Sequence, residues 1–101
     1  MFKHKMAIQS FSDESTERFF RKSILGKGIG WADARKIVRR KLDILHYAAR
    51  LSDLKAPPGN RLELLKGDLN RYHSVRINDQ WRIVFIWTEA GPANVRITDY
   101  H

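Results

Sequence analysis

The segment from Gln80 to Thr88 constrains the fold of this chain more than any other part of the sequence. Between positions 81 and 87 every residue is apolar except Arg82. A strand that is apolar on both faces is typical of the middle of a sheet, where neighbouring elements cover each face. The segment therefore predicts a central strand. It also singles out Arg82, because a buried charge costs free energy unless an anion meets it.

Local patterns predict the elements around this strand. Ser12 and Asp13 are good helix N-caps, and Glu14 and Glu17 fall in the first turn, where the helix dipole favours acidic side chains. The predicted elements are a strand at 7–11, helices at 13–23 and 31–50, and strands at 61–66, 72–77, 80–88 and 94–99. The apolar stripe of the second helix is Ala34, Ile37, Val38, Leu42, Leu45, Ala48 and Ala49. This order predicts an α+β fold, with an N-terminal strand and two helices packed on an antiparallel-rich sheet of about four to five strands.

Length and composition limit the class of protein. A chain of 101 residues is expected to form one domain, residues 1–101. It has no cysteine, which excludes disulfides, thiolate metal sites and a thiol nucleophile. No apolar run approaches the roughly 18 residues of a membrane span, and the polar first six residues do not resemble a signal peptide. We therefore expect a cytoplasmic protein with no membrane partner.

The chain is strongly basic, with 19 lysines and arginines against 11 acidic residues and a net charge of +8. For so small a domain this charge predicts a polyanionic or acidic partner. Part of the excess lies on one side of the second predicted helix, at Arg35, Lys36, Arg39 and Arg40. This face is a solvated surface, a docking surface for an acidic partner or a nucleic-acid-binding surface. The last is the weakest interpretation, because no aromatic residues alternate with the cations to stack on bases.

The turn at Asn78-Asp79 predicts which residues share a face of the sheet. A two-residue hairpin loop there pairs Arg82 with Val75 and Val84 with His73. Side chains alternate between the two faces along a strand, so this register puts His73 and Arg82 on the same face. His73 is then either part of the cleft around Arg82 or a packing residue.

Three basic residues form a candidate phosphate site. Lys66 ends its predicted strand just before a glycine turn, Arg82 lies in the central strand, and the chain closes with Asp99-Tyr100-His101. Cations stabilise the charge that develops at phosphorus, and an imidazole can move a proton near neutral pH. Each residue also has a non-catalytic interpretation. Lys66 is then an ordinary surface lysine and the tail is solvated. Arg82 then forms a structural ion pair with Asp79, Asp99 or Glu63.

The sequence predicts neither a metal site nor a cofactor. The four histidines lack the paired spacing of metal ligands, and no serine lies in a nucleophile elbow. RNA is a suitable substrate for such a protein, because its own 2′-hydroxyl can act as the nucleophile. Cleavage of RNA without a metal ion is therefore the chemistry that these residues favour.

Three stretches of the sequence resemble the HigB branch of the RelE/ParE toxin superfamily, including its GraT-like members. They are 61–68 (RLELLKGD), 78–85 (NDQWRIVF) and 99–101 (DYH). The N-x-x-W-R motif combined with the closing Asp-Tyr-His is specific, and the Leu-Lys-Gly-Asp motif adds support. The resemblance covers nearly the whole chain from Met6 onward, so residues 1–5 are expected to be an N-terminal extension or to reflect a different start.

The resemblance implies a compact microbial-RNase-like fold and a toxin of a type II toxin-antitoxin system. Toxins of this branch cleave mRNA in the A site of the 30S ribosomal subunit and so inhibit translation and growth. A cognate antitoxin of the HigA or GraA kind, usually with a helix-turn-helix domain, neutralises the toxin. The complex commonly represses its own operon by binding operator DNA through the antitoxin.

The resemblance also implies a set of active residues, which fall here on Lys66, Arg82, Asp99, Tyr100 and His101. By this comparison Lys66 and Arg82 neutralise the scissile phosphate, and His101 moves a proton. Tyr100 stacks on or positions a nucleotide, and Asp99 orients its neighbours or assists with the proton. The expected product carries a 2′,3′-cyclic phosphate.

Glu63 departs from the family pattern, because some members of the HigB branch have a histidine at this position. Glu63 is either a replacement general base or an ion-pair partner of Arg82 or Lys66 that weakens phosphate binding. GraT-like members also have a glutamate here and tend to be mild toxins, so the resemblance implies a modest activity.

Three other functions remain open. A ParE-like relative shares the fold and poisons DNA gyrase, but it lacks the catalytic cluster. A non-catalytic module would bind RNA or DNA through the cationic helix face in a salt-dependent way. A degenerate toxin would act only as a corepressor together with its antitoxin.

Overall fold

The structure, a computed structural model, describes residues 7–99. Two α-helices precede an antiparallel sheet of four strands, whose spatial order is also their order along the chain. The helices are α1 (Glu14–Lys22) and α2 (Arg35–Tyr47), and the strands are β1 (Glu63–Leu64), β2 (His73–Arg76), β3 (Trp81–Thr88) and β4 (Gly91–Asp99). The predicted α+β class is confirmed, and β3 lies between β2 and β4 as its two apolar faces predict.

Capping fixes α1 much as the sequence predicts. The Asp13 carboxylate accepts the backbone N–H of Thr16 at 2.7 Å and the Thr16 hydroxyl at 2.8 Å. Ser23 ends the helix in the left-handed region at φ 56°, and its N–H donates to the carbonyl oxygen of Phe19. Both ends of the helix are therefore set by hydrogen bonds that local sequence supplies.

The second helix ends at Tyr47, short of the predicted end at Arg50. The Asp53 carboxylate explains the difference, because it accepts the N–H groups of Ala49 and Arg50 at 3.0 and 3.1 Å. These bonds start a 3-10 turn at Leu51–Lys55 in place of a further turn of α2. Within residues 7–99, no helix is long and apolar enough to span a membrane.

The hydrophobic core lies between the helices and one face of the sheet. Val38, Leu42 and Leu45 project from α2 at helical spacing and are fully buried. Ala49 is exposed, contrary to the predicted stripe, because α2 ends before it. The other buried apolar residues of this core are Ile8, Phe19, Trp31, Ala48, Leu54, Val75, Ile77, Ile83, Phe85, Val95 and Ile97.

One cation of α2 is buried and joins the helix to the segment that leads into β1. Lys41 Nζ donates to Asn60 Oδ1, and the Asn60 amide donates to the carbonyl oxygens of Leu54 and Ala56 at 3.1 and 3.0 Å. Burial lowers the pKa of Lys41 below its usual value, and two nearby arginine charges lower it further. The hydrogen bonds of this pair hold the segment 54–60 against α2.

The predicted N-terminal strand is reduced to an isolated bridge. Phe11 pairs in parallel with Val95 of β4, and the Gln9 N–H donates to the Pro92 carbonyl oxygen at 2.7 Å. Pro92 has no N–H to donate in return, and Asn94 lies in the left-handed region at φ 53°. The outer edge of β4 therefore offers no regular ladder to the N-terminal segment.

The hairpin between β2 and β3 has a different register from the predicted one. Arg82 lies opposite Arg76 and not opposite Val75. The side chain of Asn78 explains the longer loop, because it accepts the N–H groups of residues 80 and 81, both at 2.9 Å. A shift of one residue moves every side chain of one strand to the other face relative to its partner. The predicted register is therefore wrong.

Candidate active site

Neutral oxygen atoms anchor Arg82 on β3. Its Nε donates to Ser74 Oγ, and its Nη2 donates to the carbonyl oxygen of Arg61, both at 2.7 Å. Arg82 is only 4% exposed, and Ser74 on the adjacent strand is fully buried. These acceptors fix the guanidinium without neutralising it, so a positive charge is held in one orientation.

The backbone at Arg61 explains how a carbonyl group reaches this guanidinium. Arg61 follows a 3-10 turn at Pro58–Asn60 and lies in the left-handed region at φ 46° and ψ 59°. For a residue with a side chain this conformation costs roughly 1–2 kcal/mol, and the charge-assisted bond from Arg82 offsets that cost. Sequence reasoning missed the roles of Ser74 and Arg61, since a strand serine and a backbone carbonyl carry no signature.

Glu63 supplies a carboxylate beside Arg82. Its Oε1 lies 3.8 Å from Arg82 Nη2, and the Glu63 side chain is 47% exposed. One of the ion pairs that the sequence offered for Arg82 is therefore present, while Asp79 pairs instead with Arg76 at 2.5 Å. A contact this long and this solvated adds little to stability.

Lys66 lies in the same shallow depression as Glu63. Residues 63–66 line this depression, and Lys66 is exposed. A 3-10 turn follows at Gly67–Leu69, and Gly67 takes φ 73°, a conformation that glycine adopts readily. The end of β1 therefore brings Lys66 into one depression with Glu63, the residue that contacts Arg82.

The closing tail is described only as far as Asp99, at the end of β4. Asp99 pairs with Trp81, so the pleat assigns it to the face of the sheet that packs against the helices. The side-chain amide of Gln80 donates to Asp99 Oδ2 at 3.1 Å. Tyr100 and His101 lie outside the described residues, as do residues 1–5.

His73 is a packing residue and lies away from Arg82. Its ring stacks on Phe85 at 6.1 Å between centroids, and its Nδ1 is buried without a hydrogen-bond partner among the described residues. Burial lowers the pKa of His73 below its usual value. The prediction that His73 and Arg82 share a face is wrong, because the observed register places them on opposite faces.

The predicted cationic face of α2 is divided between two roles. Arg39 donates to the carbonyl oxygens of Phe20 and Phe19 at 3.0 and 2.6 Å, and its guanidinium lies 4.9 Å from the centroid of the Phe19 ring. Arg39 therefore caps the C-terminus of α1, where unpaired carbonyl groups and the helix dipole favour a cation. The exposed cations of this face are Arg35, Lys36 and Arg40.

The register also reveals two arginines that sequence reasoning did not single out. Arg76 lies opposite Arg82 on β2, and Arg96 lies opposite Val84 on β4. Pleat alternation puts both on the face of Arg82, which is turned away from the helices. The alternation of Arg96 with apolar neighbours is visible in the sequence. That Arg96 lies near Arg82 can be recognised only from the pairing of β3 with β4.

Comparisons with known proteins identify the family. A family model described as the RelE-like toxin of type II toxin-antitoxin system HigB matches residues 9–101. The chain belongs to the HigB-like toxin family. It is 37% identical over 93 residues to Toxin HigB-1 of Vibrio cholerae serotype O1, an alignment that covers 92% of this chain and 87% of that protein. It is also 36% identical over 66 residues to an uncharacterised Haemophilus influenzae protein, covering 65% of this chain and 64% of that one.

This HigB-like toxin is therefore the toxin of a type II toxin-antitoxin system, and a cognate antitoxin is its implied partner. RelE-like HigB toxins are generally endoribonucleases. The matched range contains every candidate residue of the site, from Glu63 to His101. In the described part of the chain, no group of three or more histidine, cysteine or acidic side chains is placed to hold a metal ion.

Proposed function

We propose that this HigB-like toxin is an endoribonuclease that cleaves mRNA in the ribosomal A site without a metal ion, and so inhibits translation and growth. The observation that carries the proposal is the anchored guanidinium of Arg82. It contacts Glu63, which lines an open depression together with Lys66. A fixed cation supports phosphoryl transfer, because it stabilises the charge that develops at phosphorus without having to reorganise.

The proposed chemistry uses the RNA itself as nucleophile. The ribose 2′-oxygen attacks the adjacent phosphorus while the bond to the 5′-oxygen breaks, which leaves a 2′,3′-cyclic phosphate and a free 5′-hydroxyl. The 2′-hydroxyl gives its proton to a base, and the leaving 5′-oxygen takes a proton from an acid. We propose that Lys66 and Arg82 bind the phosphate oxygens and neutralise their charge. From the resemblance we assign proton transfer to His101, nucleotide positioning to Tyr100 and the orientation of these neighbours to Asp99.

We assign Glu63 the part of a competing anion and not that of a general base. Its carboxylate lies 3.8 Å from the guanidinium of Arg82, where a phosphate oxygen must bind. A bound phosphate has to share Arg82 with this carboxylate or displace it. This competition lowers the affinity for RNA and supports a modest cleavage rate.

We further propose that a HigA- or GraA-like antitoxin neutralises the toxin and carries it to operator DNA through a helix-turn-helix domain. The outer surface of α2 favours such a protein partner. Tyr47 is 68% exposed, and it lies with Ile44 in a shallow depression that Lys36, Arg39, Arg40 and Asp43 also line. An apolar surface beside three cations and one carboxylate suits the amphipathic face of an acidic helix.

Primer-extension mapping of a translated mRNA with purified ribosomes tests the nuclease proposal. We expect cuts at A-site codons that require the ribosome. The cuts should disappear in Arg82→Lys, which keeps the charge but loses the planar fork that bonds Ser74 and Arg61. Arg18→Lys, at an exposed position on α1, is the matched control and should cut like the parent chain.

Each outcome of this mapping has a distinct meaning. If Arg82→Lys is folded and cuts at the parent rate, the assignment of Arg82 is wrong. If deletion of His101 leaves the cuts unchanged, another residue moves the proton. If the folded parent chain produces no cuts, the nuclease proposal fails and gyrase poisoning or corepression takes its place.

A further inference from the structure

Three arginines form a band, on three adjacent strands, across the face of the sheet that is turned away from the helices. Arg76 of β2 lies directly opposite Arg82 of β3. On the other side of β3, Thr98 lies opposite Arg82, so Arg96, two positions away on β4, is a diagonal neighbour. Diagonal neighbours in an antiparallel pair lie roughly 7–8 Å apart, within reach of long side chains. We call Arg76, Arg82 and Arg96 the arginine band.

The three arginines of the band differ in the groups that interact with their positive charge. Arg76 pairs with Asp79 at 2.5 Å, and Arg82 contacts Glu63 and donates to three neutral oxygen atoms. Arg96 is half-buried, and no hydrogen bond or ion pair engages its guanidinium within residues 7–99. Like charges on neighbouring strands destabilise a sheet. The band therefore leaves one cation, at Arg96, whose charge the described chain does not offset.

We propose that Arg96 is a substrate-binding residue that holds an RNA phosphate next to the one at Arg82. The inference rests on the proposed action of this toxin on RNA and extends the site across β3 to β4. Repeated phosphates along a single strand suit a row of cations, whereas a single carboxylate would engage only one of them. The guanidinium fork also matches phosphate oxygens in pairs.

The buried residue Val84, next to Arg82 and Arg96 on the same face, supports this role for Arg96. Val84 lies opposite Arg96 and is fully buried, although it belongs to the face turned away from the helices and not to the core beneath them. Neighbouring side chains must cover Val84, and the aliphatic stem of an arginine directly opposite is suited to do so. An arginine whose stem packs in this way keeps its charged end in solvent.

The test is the salt dependence of RNA binding, measured apart from cleavage. The probe is a short single-stranded RNA with 2′-O-methyl riboses, which cannot undergo attack by the 2′-oxygen. Fluorescence anisotropy is measured between 50 and 200 mM salt for the full chain, Arg96→Gln, Arg96→Lys and Arg18→Gln. Thermal unfolding of each variant shows that it is folded.

Loss of one phosphate contact has a defined signature. Arg96→Gln should bind roughly five- to tenfold more weakly at low salt, and its salt slope should fall by about 0.7, the value for one phosphate of a single strand. Arg96→Lys should restore most of the slope, because a lysine is a point charge that still neutralises a phosphate. Arg18→Gln should change neither quantity appreciably.

The outcomes separate this inference from the proposed function. If Arg96→Gln binds and cleaves like the parent chain, the role of Arg96 is overturned while the nuclease proposal stands. If the parent chain does not cleave mRNA on ribosomes, but Arg96→Gln binds the RNA probe more weakly than the parent chain does, the nuclease proposal fails and the binding role of Arg96 stands. If the folded parent chain does not bind the probe at all, the inference is wrong.

Discussion

Ser74 and Arg82 are joined by a hydrogen bond of 2.7 Å between the serine hydroxyl and the guanidinium Nε. Both residues are buried. Ser74 pairs with Val84 and not with Arg82, so the arginine reaches it diagonally across β2 and β3. This diagonal contact exists only in the observed register. It is one of the contacts that make a charge tolerable in an otherwise apolar strand.

Removal of the Ser74 hydroxyl should destabilise the protein. In Ser74→Ala the Nε of a buried cation loses its acceptor, which costs about 1–3 kcal/mol in the free energy of unfolding. Urea unfolding measures the difference. Ser52→Ala, at an exposed position, is the control and should stay within about 0.5 kcal/mol of the parent. Equal stabilities for the two variants would mean that the bond to Ser74 does not hold Arg82.

Arg39 should prove structural, although its sequence context suggests a surface cation. Arg39→Lys keeps the charge but cannot reproduce the fork that bonds the carbonyl oxygens of Phe19 and Phe20. We expect a loss of about 1–2 kcal/mol in the free energy of unfolding. Arg40→Lys, exposed on the same helix, is the matched control. An equally large loss in Arg40→Lys, which also keeps its charge, would mean that the bonds from Arg39 to the end of α1 do not account for the loss.

The buried amide of Asn60 should contribute far more to stability than an exposed asparagine. Asn60→Ala leaves Lys41 without its acceptor and the carbonyl groups of Leu54 and Ala56 without their donor. We expect a loss of about 2–4 kcal/mol. Asn70→Ala, in the exposed turn after β1, should change stability by less than about 0.5 kcal/mol. Denaturation of both variants under identical conditions decides the comparison.

His73 should make the protein sensitive to acid. Burial lowers the pKa of His73 in the folded state, so the unfolded chain takes up a proton first as the pH falls below about 6.5. The free energy of unfolding should therefore fall from pH 7 towards the lower folded pKa. His73→Phe keeps an aromatic ring against Phe85 and removes the titrating group, so its profile should be flatter over this window.

The stabilities at pH 8 serve as the reference for this pH series. His73 is neutral there in both the folded and the unfolded chain, so any difference in the free energy of unfolding between the parent and His73→Phe does not come from the titration of His73. A parent profile as flat as that of the variant would show that His73 is solvated in the folded protein.

The sequence predicted elements correctly where a residue type or a pattern carries a known signal. Asp13 is a typical N-cap residue and caps α1, and the run of residues 81–87, apolar on both faces, is typical of a central strand and forms β3. The sequence predictions failed where a side chain that belongs to no such pattern accepts hydrogen bonds from backbone N–H groups. Asp53 ended α2 early, and Asn78 lengthened the hairpin loop. Periodicity does not report either interaction, because each arises from a side chain in the connecting segment.

The sequence by itself determined the α+β order of elements, the family, the central strand with its single arginine, and Glu63 as a candidate partner for that arginine. Tertiary structure decided which residues share the face of Arg82. A one-residue difference in the hairpin moved His73 away, and strand pairing put Arg96 beside Arg82. The physical reason is that side chains alternate with a period of two, so the membership of a face depends on a register that only the folded loop fixes.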